Sequence, residues 1–264
     1  MGGFKKKLQR GYRATGIMLT IFDNPEIVRI LHNNGFDYFF FDTEHGYANY
    51  DRLYPMFAYA RYEGIAGFLR IPEINKTEIL RAVEMGVDGI FAPIVETADQ
   101  ARELVEHAKY YPKGSRGVNF MRPHTAYRKI DPKKYVDKAN DEMFLVCLVE
   151  SPRGVENVDA ILEVDGIDAI MIGHNDLSQS MGLLGQTTHE DYLAAVETVL
   201  ASCKKHGKFS GLSLDTVDQM AESMRRGVSL NQWSSDVALF AKLLSSNLPS
   251  LQAYQEETFS PETP

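Results

Sequence analysis

The sequence predicts an α/β fold, a closed (β/α)8 barrel, on three observations. Short runs of β-branched, aromatic and other apolar residues alternate with helical patterns from end to end, giving eight strands with helices between them. The chain has 264 residues, close to the roughly 250 of an ordinary barrel of this kind. Asp42, Arg70, Glu150 and Asp176 all stand at or just beyond strand C-termini, whereas an open sheet gathers its ligands at one switch point. In a barrel of parallel strands, that end carries the active site.

The elements follow in order. Residues 16–21 read as the first strand, and Asn24-Pro25-Glu26 opens a helix to about residue 34, a cap residue followed by proline at the first helical position. Residues 38–42 form the second strand and 51–63 the next helix. The third strand, 66–70, leads to a helix over 77–85 that stops at Gly86, and the fourth, 89–94, leads to a helix over 97–109. An irregular stretch, 111–139, rich in Lys, Arg, Pro and His, is expected to loop over the barrel mouth. Strand 144–150 precedes a helix near 154–162, and strand 169–172 precedes a loop and a helix over 189–206. Weaker strands at 208–212 and 228–232 flank a helix at 217–226.

No internal boundary interrupts this pattern, so residues 1–254 read as one barrel domain and 255–264 as a polar, proline-containing, frayed tail. Residues 237–244 form an apolar helical stretch without a partner in its own βα unit, suited to closing the outer ring or packing on another subunit. Hydrophobic content of 44% and charged content of 24% are those of a globular protein with ample core material. The net charge of −8 argues against nucleic acid or an anionic membrane as partner, though not against a small anion bound at a local basic site. Cys147 and Cys203 fall in a buried strand and a helix, the pattern of reduced, packed thiols. No apolar run reaches the ~20 residues of a membrane span, and the charged start, Met1 to Leu8, has no apolar segment of a secretory signal behind it. The expected location is the cytoplasm.

Two acids carry the chemistry. Glu150 ends the apolar run Phe144-Leu-Val-Cys-Leu-Val149, and Asp176 follows Ala169-Ile-Met-Ile-Gly173. A carboxylate there is costly unless it is paired, hydrogen-bonded or bound to metal. Two of them on neighbouring strands suit a hard divalent cation with positions left open. A salt bridge to Arg70 is the competing reading. His174 is adjacent to Asp176, but neighbours on an extended segment point to opposite sides, which argues against a third ligand. His45, in Asp42-Thr-Glu-His-Gly46, is a candidate general base or a loop cap. Asp42 reads equally as an acceptor of nearby backbone N–H groups. Arg70 suits an enolate oxygen or a structural salt bridge at the mouth. Glu84, near a helix C-terminus, reads alone as a surface acid. Lys113-Gly-Ser-Arg-Gly117 is a weak anion-contact signal. No G-x-G-x-x-G, H-E-x-x-H or G-x-S-x-G motif supports nicotinamide binding, a zinc protease or a serine hydrolase.

Collinear from about residue 16 to 236, these segments resemble the class II 2-oxo-acid aldolases of the HpcH/HpaI family. The markers are Phe41-Asp-Thr-Glu-His45, Leu69-Arg-Ile-Pro72, Ala82-Val-Glu-Met-Gly86 and Pro93-Ile-Val-Glu-Thr-Ala-Asp-Gln-Ala-Arg102. Tyr111-Pro-Lys-Gly-Ser-Arg-Gly117, Val149-Glu150 and Gly173-His-Asn-Asp-Leu-Ser178 continue the set. The resemblance implies a phosphoenolpyruvate/pyruvate-type barrel and a homo-oligomer, commonly a hexamer with an exchanged C-terminal helix. It also implies a Mg²⁺, Mn²⁺ or Co²⁺ cofactor, placing the metal ligands on Glu150 and Asp176, the base on His45 and the enolate-stabilising arginine on Arg70. The acid that raises the basicity of the histidine falls on Glu84, where many relatives have aspartate, reaching across subunits. Two departures stand out. Leu148 occupies the place of a substrate-contacting glutamine, and Gly173-His-Asn-Asp176 replaces Gly-Pro-Ala-Asp or Gly-Pro-Ser-Asp, leaving Asn175 with a backbone donor for a substrate carboxylate.

The expected activity is metal-dependent aldol cleavage or formation of a 4-hydroxy-2-oxo acid through a pyruvate-type enolate. Small oxo acids and aldehydes would be its partners. Lysine Schiff-base chemistry lacks a lysine at a strand end. The rivals are an acyl-CoA lyase of the citrate-lyase-β type, for which only residues 113–128 supply basic groups, and a non-catalytic barrel binding a small carboxylate. The aldehyde half, the stereochemistry and the preferred metal are not written in these residues.

Overall fold

The structure, a computed structural model, describes residues 3–258. Eight parallel strands close into a barrel in sequential order, β1 Ala14–Leu19, β2 Tyr38–Asp42, β3 Ala66–Arg70, β4 Gly89–Ala92, β5 Phe144–Val149, β6 Ala169–Ile172, β7 Phe209–Leu214 and β8 Leu230–Ser235. β8 pairs back onto β1, which bears out the (β/α)8 expectation. The helices are α1 Gly3–Gln9, α2 Glu26–Asn33, α3 Tyr50–Glu63, α4 Lys76–Met85, α5 Ala98–Ala108, α6 Pro132–Glu142, α7 Pro152–Glu156, α8 Val158–Leu162, α9 His174–Ser180, α10 Glu190–Lys205, α11 Val217–Arg225 and α12 Asp236–Thr258.

Alternation along the strands sorts the core into two layers. Phe39, Phe41, Leu69, Ile90, Leu145, Cys147, Val149 and Ile170 face the helices. Tyr38, Phe40, Phe68, Phe91, Phe144, Val146, Leu148, Met171 and Leu230 fill the barrel. Continuing the same alternation turns Asp42, Arg70 and Glu150 inward at the C-terminal end. The other end is plugged by α1, whose Phe4 ring meets Tyr38, Phe68 and Phe144 edge-on.

A repeated device fixes that lower end. Gly35-Phe-Asp37, Gly86-Val-Asp88 and Gly166-Ile-Asp168 each precede an even-numbered strand, with the glycine at positive φ. Each aspartate accepts an N–H near the start of the preceding strand: Thr15 at 3.1 Å, Gly67 at 2.9 Å and Leu145 at 2.9 Å. Gly227-Val-Ser229 stands in the corresponding place before β8.

Several local expectations change. The stretch 111–139 does not lie over the mouth. It leaves the C-terminus of α5 and enters the N-terminus of β5, and such α-to-β connections run along the lower end. It carries a 3₁₀ turn, Pro123–Thr125, and α6, and Arg116 Nη2 donates to the Val83 carbonyl on α4. The loop expected after β6 opens with α9. The helix expected near 154–162 is split at Asn157 into α7 and α8. The apolar stretch 237–244 is the first part of the longer α12, which continues to Thr258. Phe240, Leu243, Leu244, Leu248 and Leu251 are exposed along it. The remainder of the expected tail, 259–264, lies outside the described residues.

Candidate active site

The β2–β3 register sets Asp42 directly beside Arg70. The guanidinium forks onto the carboxylate, Nε to Oδ1 at 2.8 Å and Nη2 to Oδ2 at 2.6 Å, and Nη1 reaches Glu44 Oε2 at 3.1 Å. Asp42 is 1% exposed and Arg70 7%, so this is a desolvated, bidentate pair. Burial works against the arginine's charge, but the Asp42 carboxylate prevails and holds its pKa above the usual value. Asp42 Oδ1 also accepts the Glu44 N–H at 3.0 Å, as its loop-acceptor reading expects, and Arg70 makes the salt bridge at the mouth. Glu44 lies within the Phe41–His45 motif, whose sequence alone gives it no role. Its place depends on the Arg70 fork, which only the strand register brings within reach.

Glu150, 5% exposed, lies one residue past β5. Its Oε2 accepts the Ile94 N–H at 2.9 Å, and its other oxygen lies over Gly173, where any side chain would drive into the carboxylate. Burial pushes Glu150 up to about 7, with the charges of Asp176 and Glu44 adding to the shift and the Ile94 bond and Arg70 opposing it. Burial also raises Glu44.

Asp176 and Asn175 sit exposed in the first turn of α9, where helix N–H groups lack partners within the helix. His174 opens the same helix, so the extended-segment argument against it does not describe the local backbone. His45 is exposed at the rim, its N–H 3.4 Å from Asp42 Oδ1. Among the described residues, no group of three or more His, Cys, Asp or Glu side chains forms a ready-made ion site.

Asp42, Glu44, His45, Arg70, Glu150 and Asp176 thus share the C-terminal mouth. Glu84 does not. It lies in the last turn of α4, at the lower end, with Oε2 3.5 Å from Arg122 Nε. Leu148 is buried in the barrel interior, two residues before Glu150 on the same inward face.

Residues 17–242 match the HpcH/HpaI aldolase/citrate lyase family. The chain belongs to that family. Over 238 residues it is 33% identical to a hydroxypyruvate/pyruvate aldolase of Roseobacter denitrificans, covering 89% of this chain and 91% of the relative. It is also 33% identical to a 2-keto-3-deoxy-L-rhamnonate aldolase of Klebsiella pneumoniae, covering 93% and 91%. Among solved structures it is similar to an HpcH/HpaI aldolase from Desulfitobacterium hafniense, with a TM-score of 0.91, 31% identity and 98% of each chain covered. The family expectation drawn from the ordered motifs is borne out.

Proposed function

We propose that this family member is a divalent-metal-dependent class II aldolase, a carbon–carbon lyase that makes or breaks a 4-hydroxy-2-oxo acid through a pyruvate-type enolate. The observation that carries the reading is the Glu150 carboxylate, buried at the mouth of the barrel. Arg70 is already forked onto Asp42 and reaches Glu44, and among the described residues Glu150 has one backbone donor, Ile94. A carboxylate raised by burial, with neighbouring acids adding to the shift, fits a hard cation, so the residues present suit Mg²⁺, Mn²⁺ or Co²⁺, with Glu150 and Asp176 as its ligands. When bound, such an ion supplies Lewis-acid polarisation of the 2-oxo group.

The chain's own groups do the rest. Arg70, held rigid by Asp42, presents its remaining N–H groups to the developing enolate oxygen. The free N–H of Asn175 and its neighbours in the first turn of α9 receive the substrate carboxylate. His45 at the open rim takes the proton of the C4 hydroxyl. Glu84 lies too far down its own barrel for that histidine, so it acts on His45 of the partner subunit in a homo-oligomer. A hexamer with α12 exchanged gives the exposed apolar face of that helix its cover. No described helix is long and apolar enough to cross a membrane, and Cys147 and Cys203 are buried and free, in keeping with a cytoplasmic protein. The acyl-CoA reading has less support, because the similar relatives described above are named for short keto acids.

The test is exchange of pyruvate methyl protons with deuterated water after chelation and re-addition of each metal. Metal-dependent exchange that Glu150→Gln abolishes is the expected result. Exchange that persists in EDTA, or none with any of the three metals, overturns the proposal.

A further inference from the structure

Glu150 is held from two sides. Its Oε2 accepts the Ile94 N–H at 2.9 Å, and its backbone carbonyl accepts the Ser180 hydroxyl of α9 at 3.0 Å. The helix that carries Asp176 is therefore fastened to the backbone of Glu150. The geometry of both acids thus depends on two neighbouring loops, the one that leaves β4 with Ile94 and the one that leaves β5 with Glu150.

Glu96 joins those loops. Its Oε1 accepts the Ser151 hydroxyl at 2.5 Å, and its Oε2 lies 3.4 Å from Arg153 Nη1. Its carbonyl accepts from Asn157 Nδ2 at 2.9 Å, and its N–H donates to Gln100 Oε1 at 2.8 Å. Every polar group of this half-buried residue is engaged, all but the N–H by the segment 151–157. The exposed Arg153 contact contributes little, whereas a hydroxyl donating to a carboxylate is a strong, charge-assisted bond. Ser151 also caps α7, accepting the Gly154 N–H at 3.1 Å. That helix lies so close to the Glu96 loop that a Cβ on Gly154 would stand 3.0 Å from the Val95 carbonyl.

Two rungs therefore cross the same gap, Ile94 to Glu150 and, just beyond it, Glu96 to Ser151. The first rung does not hold itself. Ile94 has a φ of 49° and an exposed side chain, so no packing of its own keeps its N–H aimed. Such a backbone persists only where its surroundings fix it. Here they are the Val95 N–H on the Leu148 carbonyl at 2.9 Å, Gln100 Nε2 on the Ile94 carbonyl at 3.3 Å, and the contacts of Glu96.

We propose that Glu96 is a positioning residue for the metal site: it locks the loop after β4 to the loop after β5 and so presents the Glu150 carboxylate in its ion-binding orientation. The inference rests on the metal-dependent reading above. Glu96 acts through Ser151 and Ile94, as outer partners orient the groups that ligate.

The experiment titrates the chelator-treated full chain with Mn²⁺ by calorimetry and follows urea denaturation alongside. Glu96→Ala is expected to weaken Mn²⁺ binding about tenfold. Glu96→Gln, which keeps an acceptor oxygen for Ser151, recovers most of that loss. Ser151→Ala weakens binding by a similar factor, and it decides alone if Glu96→Ala does not fold. The double variant binds little worse than either single one, because both remove the same rung. Unchanged Mn²⁺ affinity in Glu96→Ala, with or without a fall in stability, overturns the inference, and so do fully additive losses in the double variant. Wild-type protein that binds no Mn²⁺ removes the metal reading and this inference with it.

Discussion

Ile94 holds a left-handed backbone, φ 49°, and the N–H it thereby turns inward is the one Glu150 Oε2 accepts at 2.9 Å. A β-branched residue in that region is strained by about 1–3 kcal/mol. The strain is spent on aiming a single donor at the acid on which the metal proposal depends. Ile94→Gly relaxes the backbone and, at a half-exposed position, is expected to leave the melting temperature unchanged or higher. Ile94→Pro removes the donor and is expected to lower it by several degrees. Calorimetry on both variants checks this.

Metal affinity should follow the state of the Glu150 carboxyl. With that group raised to about 7 by burial, a proton competes with the ion below neutrality. Mn²⁺ affinity is expected to rise roughly tenfold per pH unit up to about pH 7 and then level off. Titration calorimetry from pH 5.5 to 8.5 reads this directly, and a flat profile would contradict it. Glu150→Gln should lose the pH dependence together with most of the affinity.

Removing Asp42 leaves the Arg70 guanidinium buried with Glu44 as its remaining carboxylate partner among the described residues. Asp42→Ala is expected to cost about 3–5 kcal/mol in urea denaturation. Arg70→Lys keeps the charge but loses the fork, and it should reduce pyruvate proton exchange more than it reduces stability.

Glu84 offers a test that needs no substrate identification. If it serves His45 of the partner subunit, His45→Ala and Glu84→Ala are each nearly inactive alone. Mixed, dissociated and reassembled, they should regain up to about a quarter of wild-type activity, as expected when one composite site per pair carries neither change. No recovery in verified hetero-oligomers would refute the cross-subunit role.

The lower end of the barrel predicts a pH effect of the opposite kind. Burial raises Asp88 to about 6, against the Gly67 hydrogen bond that favours its ionised form. The folded state therefore binds this proton more tightly than the unfolded chain. The associated stability is fully present below about pH 4 and is lost as pH rises through about 6, on the order of 2–3 kcal/mol. Asp88→Asn should flatten that part of the stability profile measured by urea denaturation, and an unchanged slope would contradict the assignment.

The barrel was legible because buried parallel strands leave continuous apolar runs and because Glu150 and Asp176 end two of them. Glu84 could be placed on a helix from the sequence, and its position at the lower end follows once the barrel is closed. Asp42, Arg70 and Glu44 were each visible, but not as one network, since their union depends on strand register and no local pattern encodes register. Residues 111–139 were put at the wrong end because their basic, proline-rich composition suggested a lid. The end on which a loop emerges is set by what it connects, and this one joins a helix to a strand. The helix α9 was hidden by its polar start, His174-Asn-Asp, which reads as a loop until its Leu177 N–H is seen to bond the Gly173 carbonyl.

The Gly-x-Asp device ties strands together two at a time, β1 with β2, β3 with β4, and β5 with β6, leaving β7 and β8 joined without an aspartate. The cylinder is thus assembled from three clamped parallel βαβ modules and one unclamped pair. That pair abuts both β1 and the base of α12, making it the natural seam of the barrel. A seam without clamps is the place where loops and side chains can change between related enzymes at least cost to the rest.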